Sequence, residues 1–477
     1  MGARTEAIRQ RGTGKREDKS GNYAVAEAKR VAILVLGDIG RSPRMQYHAI
    51  SLARAGYLVD FIGYAGAKPM NEVLSAPGIA LHHVRVLPQP TSAPKALFYI
   101  YAPFKVLYQI CALFWVLLVG IQRPRYILVQ NPPAIPTLLV AQICAFMIGA
   151  RLIIDWHNYG HTILALKLGP AHPVVSLATW FEHFFGKSAF AHLCVTNAMA
   201  ADLQEKWKIR RSGRLIVLHD KAPKHFKHLS APEIQKLWTR LLDDPQMARL
   251  RRLLPDTSDA SDAASKQTSL LTQRLSDGKV AMRKNRPMLL VSSTSWTADE
   301  DFSVLLEALK TYDLAAQSKS NGSILPSLAV LITGKGPLRA FYEEQIGRLR
   351  LARVCIVTAW LSAEDYPLLL GSADLGISLH TSSSGLDLPM KVVDMLGCGT
   401  PVCAYGFSCI RELVTERNGL VFSDAAELAQ QIQSLACQLA NQRGPYQRLL
   451  RGAEDFRCID WDSNYAPVLQ MLAEAVG

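Results

Sequence analysis

The chain has 477 residues, 49% of them hydrophobic, and a formal charge of +13. At ~150 residues per domain this allows two or three domains with sizeable cores, and it excludes global disorder. The basic balance points to phosphate-bearing partners, either nucleic acid, an anionic membrane face or a phosphorylated ligand; without a zinc-finger spacing or an RNA-reading motif, nucleic acid drops out.

Residues 1–29 are polar and lack an apolar h-region, so they are predicted to be a disordered arm without a signal peptide. Arg30–Gly66, RVAILVLGDIGRSPRMQYHAISLARAGYLVDFIGYAG, reads as strand, glycine turn, helix and strand. Val31–Leu36 is a continuous apolar run of the kind a central parallel strand needs. Ser42 and Pro43 mark a helix start, Ser as N-cap and Pro at the first position. In the turn GDIGRSPR, free N–H groups and the guanidinium groups of Arg41 and Arg44 would make an anion site. It is not a G-x-G-x-x-G turn, which argues against a dinucleotide.

Two uncharged apolar stretches follow, Val106–Ile121 and Pro132–Ala150. The first would form a helix of ~24 Å, short of the ~30 Å hydrocarbon core, and prolines occupy the first turns of the second. Each reads as a membrane span, an interfacial helix or a buried helix. YILVQ (Tyr126–Gln130) and RLIIDWH (Arg151–His157) continue a βαβ rhythm, as do LCVTN and RLIVLHD. In DWHNYGH, Asp155, His157 and His161 could do acid–base work or form a structural network. From His228 to Asn285 the texture becomes polar, and this segment is predicted to be a mobile insertion or linker.

A second strand–helix series then runs through PMLLVSSTSW, SLAVLITGKGP, RVCIVTAWL, DLGISLHTSSSG and PVCAYG. In ITGKGP, Gly334 and Gly336 would let the backbone approach a ligand and Lys335 would offer a charge to phosphate. Asp299–Asp301, DED, formally resembles a metal-binding D-x-D but precedes a good helix, where acids usually cap. Ser382, Ser383, Ser384 and Gly385 follow a strand and can present hydroxyls and N–H groups to phosphate. Pro389 opens a helix on which Lys391 and Asp394 share one face. There the acid could hold two ribose hydroxyls and the lysine a leaving diphosphate, or the two could simply pair. The nine cysteines contain no C-x-x-C, which predicts reduced and mostly buried thiols.

LGDIGRSPRMQYHA, QNPP, IIDWHNYGH, LCVTNAM, VSSTSWTADEDF, ITGKGPLR, the long run from Glu364 to Cys403 and NGLVF are ordered over both halves. With them, the chain from about Arg30 resembles the β-1,4-mannosyltransferases of the dolichol pathway. The resemblance implies an α/β fold of the GT-B class, two doubly wound Rossmann-like domains facing a central cleft. It implies an acceptor domain at 30–227, the insertion at 228–285, a GDP-mannose-binding domain at 286–445 and a C-terminal helical segment at 446–477. The implied reaction moves mannose, with inversion, from GDP-mannose to the 4-hydroxyl of the outer GlcNAc of GlcNAc2-diphosphate-dolichol. It places the chain at the cytosolic face of the endoplasmic reticulum membrane, beside other dolichol-pathway mannosyltransferases and without nucleic acid. Segments 97–121 and 132–150 become the expected membrane contacts.

Related GT-B enzymes carry P-x-K-x-x-E at the donor site; here the pattern is Pro389, Lys391 and Asp394, with aspartate for glutamate. The second acid of the retaining relatives falls on Leu386, with Asp387 beside it. The donor set implied is Ser295, Gly334, Lys335, Gly336, His380, Ser382, Ser383, Ser384, Gly385, Asp387, Lys391 and Asp394. Gly37, Gly40, Arg41 and Arg44 would hold the acceptor's diphosphate. Asp38, Asp155 and His157 are unranked candidates for the base, and the departing GDP would rest on lysines and amides with no metal cofactor. A non-catalytic GT-B scaffold subunit and a retaining mannosyltransferase acting on a later lipid-linked intermediate are the alternatives.

Overall fold

The computed structural model describes residues 29–87, 95–209, 214–255, 268–318, 325–441 and 444–474. The expected N-terminal arm lies, apart from Lys29, outside the described residues. The chain divides into two units: unit 1 is Met1–Leu218 with Tyr465–Gly477, and unit 2 is His219–Asn464.

Unit 1 is built on seven parallel strands: β1 (Arg30–Asp38), β2 (Leu58–Tyr64), β3 (Ile79–Val84), β4 (Tyr126–Asn131), β5 (Arg151–Trp156), β6 (Ala191–Cys194) and β7 (Leu215–Val217). Their order is β3-β2-β1-β4-β5-β6-β7. Val31–Val35 of β1 are at most 1% exposed, because a central parallel strand is covered on both faces. The order reverses between β1 and β4, and such a switch point opens a crevice at the carboxyl ends of the strands. Asp38, Asn131 and Asp155 all lie at those ends. Pro43 opens the following helix (Pro43–Arg54) as expected, but the Ser42 hydroxyl donates to the Asp38 carbonyl at 3.0 Å instead of capping it.

Helix Lys95–Trp115 runs on through a π turn, Val116–Gly120. Its Pro103–Gly120 portion, 18 residues and only 11% buried, is the one helix among the described residues long and apolar enough to cross a membrane. Helix Thr137–Ile148 is too short to span, and buries Leu138, Val140, Ala141 and Cys144.

Unit 2 has a two-stranded ribbon, β8 (Thr272–Arg274) and β9 (Val280–Met282), and six parallel strands. These are β10 (Met288–Ser293), β11 (Leu328–Thr333), β12 (Val354–Ala359), β13 (Leu375–Ser378), β14 (Val402–Tyr405) and β15 (Gly419–Phe422), in the order β12-β11-β10-β13-β14-β15. Two cores lie on the two faces of this sheet, since successive strand residues point to opposite sides. Leu289 and Val291 join the core that includes Leu396 and Leu413, whereas Met288 and Leu290 join Leu305, Leu309 and Ile432.

The expected linker at 228–285 is instead largely folded into unit 2. Ile234, Leu237, Trp238 and Leu241 form the apolar stripe of helix Ala231–Leu241 and pack in the first of these cores with Met247 and Leu250. Only 256–267 of its Ser/Asp-rich part lie outside the described residues. The C-terminal segment is likewise divided: helix Pro445–Cys458 packs within unit 2 through Tyr446, Leu449 and Ala453, while Tyr465 onward belongs to unit 1. All nine cysteines are free thiols.

Candidate active site

In unit 2 the sheet order reverses between β10 and β13, and most of the expected donor residues gather at the carboxyl ends near that point. The loop after β10 is held by Glu300, whose side chain is 2% exposed. Glu300 accepts the Thr294 hydroxyl at 2.5 Å and the Ser295 amide at 2.9 Å through one oxygen. Through the other it accepts Lys391 Nζ at 2.5 Å. Trp296 in this loop has φ 49°, a left-handed conformation that costs on the order of 1 kcal/mol or more outside glycine. The strain is held by two hydrogen bonds, Trp296 N to Thr294 Oγ1 at 2.7 Å and Nε1 to the Gly334 carbonyl at 3.2 Å, and by ring contact with Phe302.

Gly334 and Gly336 are explained by this same packing. A Cβ at Gly334 would sit 1.8 Å from the Thr294 carbonyl oxygen, and one at Gly336 would sit 1.7 Å from that of Ser295. The two glycines therefore let the β10 and β11 loops touch. Lys335 between them is exposed and stacks over the Trp360 ring at 4.2 Å. His380 Nδ1 lies 3.4 Å from Asp299, and Thr381 donates to the Asp299 carbonyl, which ties the DED segment to the loop after β13. Asp301 caps the next helix by accepting the Ser303 amide at 2.9 Å, as its position before a helix predicts. Among the described residues no group of three His, Cys, Asp or Glu could hold a metal ion.

The serine loop closes on itself. Ser382 and Ser384 donate to Asp387, and Gly385, at φ 72°, makes the turn between them. Helix Met390–Gly397 follows and presents both Lys391 and Asp394. They do not pair: Lys391 turns to Glu300, and Asp394 accepts the Tyr366 hydroxyl at 3.5 Å, with Ser293 Oγ 3.1 Å from the same hydroxyl. Burial pushes the Asp394 carboxyl up to about 7, and the charge of Asp220 adds to the rise against the Tyr366 hydrogen bond.

In unit 1, Asp155 is 0% exposed and is the hub of a charge network. Arg44 binds it in a bidentate fashion, Nε at 2.8 Å and Nη2 at 2.9 Å, and also donates to the Leu218 carbonyl at 2.7 Å. His48 Nε2 and His157 Nε2 reach the same carboxylate at 3.0 and 2.7 Å. Burial raises the Asp155 carboxyl, but Arg44, His157 and His48 outweigh it and hold it well below the usual range. A carboxylate only accepts, so both imidazoles donate from Nε2; His48 Nδ1 then accepts from the Tyr465 hydroxyl at 3.0 Å. Asn at position 155 would take from the Arg44 guanidinium, 4% exposed, the carboxylate that it holds in a bidentate fashion. We expect Asp155→Asn to cost about 3–5 kcal/mol in urea unfolding of unit 1.

This geometry changes two expectations. Arg44 does not face an acceptor diphosphate, because its guanidinium is buried on Asp155. Asp155 does not suit proton abstraction, because the Arg44 guanidinium and two imidazole N–H groups already occupy its oxygens. Asp38 has a positional role, accepting the amides of Gly40 at 2.9 Å and Ala67 at 2.8 Å. Gly40 is small because a Cβ there would meet the Ala67 carbonyl oxygen at 2.2 Å, while Gly37 has ordinary space. Arg41, 81% exposed and 3.5 Å from Asp38, remains open to an anion. His157 is 23% exposed and, among the described residues, Asp155 is its one side-chain partner.

Residues 40–219 match the model of the glycosyl transferase 4-like domain, and residues 287–438 that of glycosyl transferases group 1. A human chitobiosyldiphosphodolichol beta-mannosyltransferase is 43% identical over 92% of this chain and 91% of its own length. The corresponding protein of Yarrowia lipolytica is 41% identical over 94% and 88%. The chain belongs to the chitobiosyldiphosphodolichol beta-mannosyltransferase family. Also similar is an Arabidopsis thaliana protein named UDP-glycosyltransferase TURAN, 44% identical over 84% of this chain and 88% of that one. Among solved structures, sucrose-phosphate synthase of Thermosynechococcus elongatus has a TM-score of 0.58 at 13% identity, covering 94% and 99% of the two chains. Anabaena HepE in complex with UDP and glucose has a TM-score of 0.56 at 15% identity, covering 94% and 100%. The fold is thus of the GT-B class, and this family member is a glycosyltransferase.

Three site residues were not foreseen from the sequence. Glu300 was read with the helix-capping acids, although its place one residue before the cap leaves its side chain uncommitted to the helix. Tyr366 and His48 carry no motif of their own and reach the sites only through the fold. Glu182, 0% exposed, similarly gathers Asn131 Nδ2 at 2.6 Å, the Gly160 amide at 2.9 Å and His161 Nδ1 at 2.7 Å, fixing the DWHNYGH loop.

Proposed function

We propose that the chain transfers mannose from GDP-mannose to the 4-hydroxyl of the outer GlcNAc of GlcNAc2-diphosphate-dolichol, with inversion, at the cytosolic face of the endoplasmic reticulum membrane. The observation that carries this reading within the family is helix Met390–Gly397, which presents Lys391 and Asp394 at the switch point of the unit 2 sheet. Asp394, when ionised, accepts the two ribose hydroxyls of the donor. Lys391 meets the diphosphate, exchanging Glu300 for a phosphate oxygen, and Lys335 leaves the Trp360 ring for the same purpose. Ser295, Ser382, Ser383, Ser384 and the amide of Gly385 complete the anion-binding set, with His380 and Asp387 holding the loop. Charge developing on departing GDP is thereby met by fixed cations and dipoles, and the scheme needs no metal. Arg41 binds the acceptor's diphosphate, and a base of unit 1 takes the proton of the GlcNAc hydroxyl.

One assay tests the reading: GDP-mannose, or a UDP-sugar, with a GlcNAc2-diphosphate-lipid, with and without chelator. A β-linked mannosyl product formed from GDP-mannose in chelator is expected. An α-linked product, a preference for the UDP-sugar or abolition by chelator would each overturn the corresponding part.

The raised Asp394 gives a pH signature. An acid whose folded value lies near 7 is ionised above it and neutral below it. A protonated carboxyl cannot accept both ribose protons, so the KM for the donor is expected to rise as pH falls through about 7. Asp394→Asn is expected to bind the donor weakly at every pH. It should also stabilise unit 2 at pH 8 by on the order of 1–3 kcal/mol, since the folded wild type then carries a costly buried charge. The wild type, binding the extra proton only when folded, recovers that stability as pH falls from about 7 toward 4. Thermal unfolding at the two pH values checks this; equal melting temperatures for wild type and variant at pH 8 would contradict it.

A further inference from the structure

We propose that helices Gly160–Leu168 and Pro173–Gly186 of unit 1 lie flat on an anionic lipid bilayer, a docking surface separate from the long apolar helix. This deepens the membrane placement proposed above and rests on it. In Pro173–Gly186 the buried residues are Val175, Ala178, Glu182 and Gly186. At ~100° per residue, Leu177, Trp180 and Phe184 fall within about 60° of one another on the opposite side. That is the side a soluble helix makes polar. Here the three are 57%, 56% and 59% exposed, and Trp180 stacks on Phe184 at 5.6 Å. The neighbouring helix Gly160–Leu168 buries nothing and exposes Leu166 and Leu168. Further helices stand beside the pair. Pro173–Gly186 packs on Thr137–Ile148, whose Phe146 is 90% exposed, and that helix packs on Lys95–Trp115.

Charge decides the occupant. Between Glu72 and Asp202 the chain has only two acids, Asp155 and Glu182, and both are 0% exposed. The same stretch carries eight Lys and Arg: Arg85, Lys95, Lys105, Arg123, Arg125, Arg151, Lys167 and Lys187. Lys167, in the last turn of the first helix, and Lys187, at the C-terminal cap of the second, are exposed. The surface of this stretch thus shows no negative group to an approaching plane of anionic headgroups. Apolar area and basic charge together are the two signals that stable interfacial binding requires, and tryptophan suits the depth of the headgroups. Continuity with Pro103–Gly120, the helix able to cross a membrane, sets the pair beside the same bilayer.

The test uses the full chain in flotation with phosphatidylcholine vesicles, with and without phosphatidylserine. Wild type is expected to float, more strongly with phosphatidylserine. Leu177→Glu/Trp180→Glu/Phe184→Glu is expected to weaken binding by on the order of tenfold or more, since charged residues are costly at that depth. A variant that keeps its circular dichroism and floats as wild type overturns the proposal, as does loss of flotation only in a Phe104→Glu/Leu107→Glu control. A second reading needs no disruptive variant: dibromo-phosphatidylcholine should quench wild-type fluorescence more than that of Trp180→Phe, and equal quenching also overturns the proposal. Mannosyl transfer to a water-soluble, short-chain acceptor is measured on the same samples. Its loss in wild type would defeat the catalytic reading, whereas its survival without flotation would defeat only the membrane docking.

Discussion

Lys391→Ala is expected to lower turnover by on the order of 10²–10³-fold, the usual loss when one preorganised charge contact to a developing anion is removed. The effect should fall on kcat more than on the donor's KM, because the diphosphate gains charge only as the glycosidic bond breaks. A complication comes from Glu300. Its side chain is 2% exposed, and Lys391 is its cation. Removing the lysine leaves that carboxylate, among the described residues, with the Thr294 hydroxyl and the Ser295 amide, which should destabilise unit 2 as well. The pair Glu300→Gln/Lys391→Ala separates the two effects. It should restore the melting temperature lost in the single variant and leave turnover low. A folded Lys391→Ala protein with near-normal turnover would remove the lysine from the scheme.

The same residues show what could be read in advance. The β-branched and apolar runs of β1, β4, β10 and β11 were legible because burial on both faces of a parallel sheet is imposed strand by strand. Lys391 and Asp394 were legible because one helix carries both and their spacing is local. Their partners were not, since Glu300 is 91 residues from Lys391 and Tyr366 is 28 from Asp394. A helix-capping role was a sufficient local account of the DED acids, and it was correct for Asp301. The reading of 228–285 failed for a different reason. The polarity of the Ser/Asp-rich part was extended to its neighbours, although Ile234, Leu237, Trp238 and Leu241 recur at helical spacing in the sequence itself. No local pattern announces that Tyr465 belongs with His48, 417 residues away.

His157→Ala is expected to lower kcat by on the order of 10²–10⁴-fold, the range for loss of a general base. Three candidates were equal in the sequence; their surroundings are not. Both oxygens of Asp155 face the Arg44 guanidinium, so its proton affinity is too low for it to take a hydroxyl proton. Both oxygens of Asp38 accept backbone amides, so using one would release the turn at Gly40 and using the other would release the Ala67 amide. His157 donates Nε2–H to Asp155 at 2.7 Å, which leaves the Nδ1 lone pair as the basic atom of a ring 23% exposed. A buried carboxylate that orients an imidazole and offsets the charge it gains is the arrangement general bases use. His157→Gln, which keeps the size and polarity of the side chain but has no basic nitrogen, should lose as much kcat at saturating donor as His157→Ala. Asp155→Asn should lower kcat as well, because it disturbs the tautomer without removing the ring. If His157→Gln retained the wild-type kcat, the proton would have to go elsewhere, and Asp38→Asn would become the variant to measure.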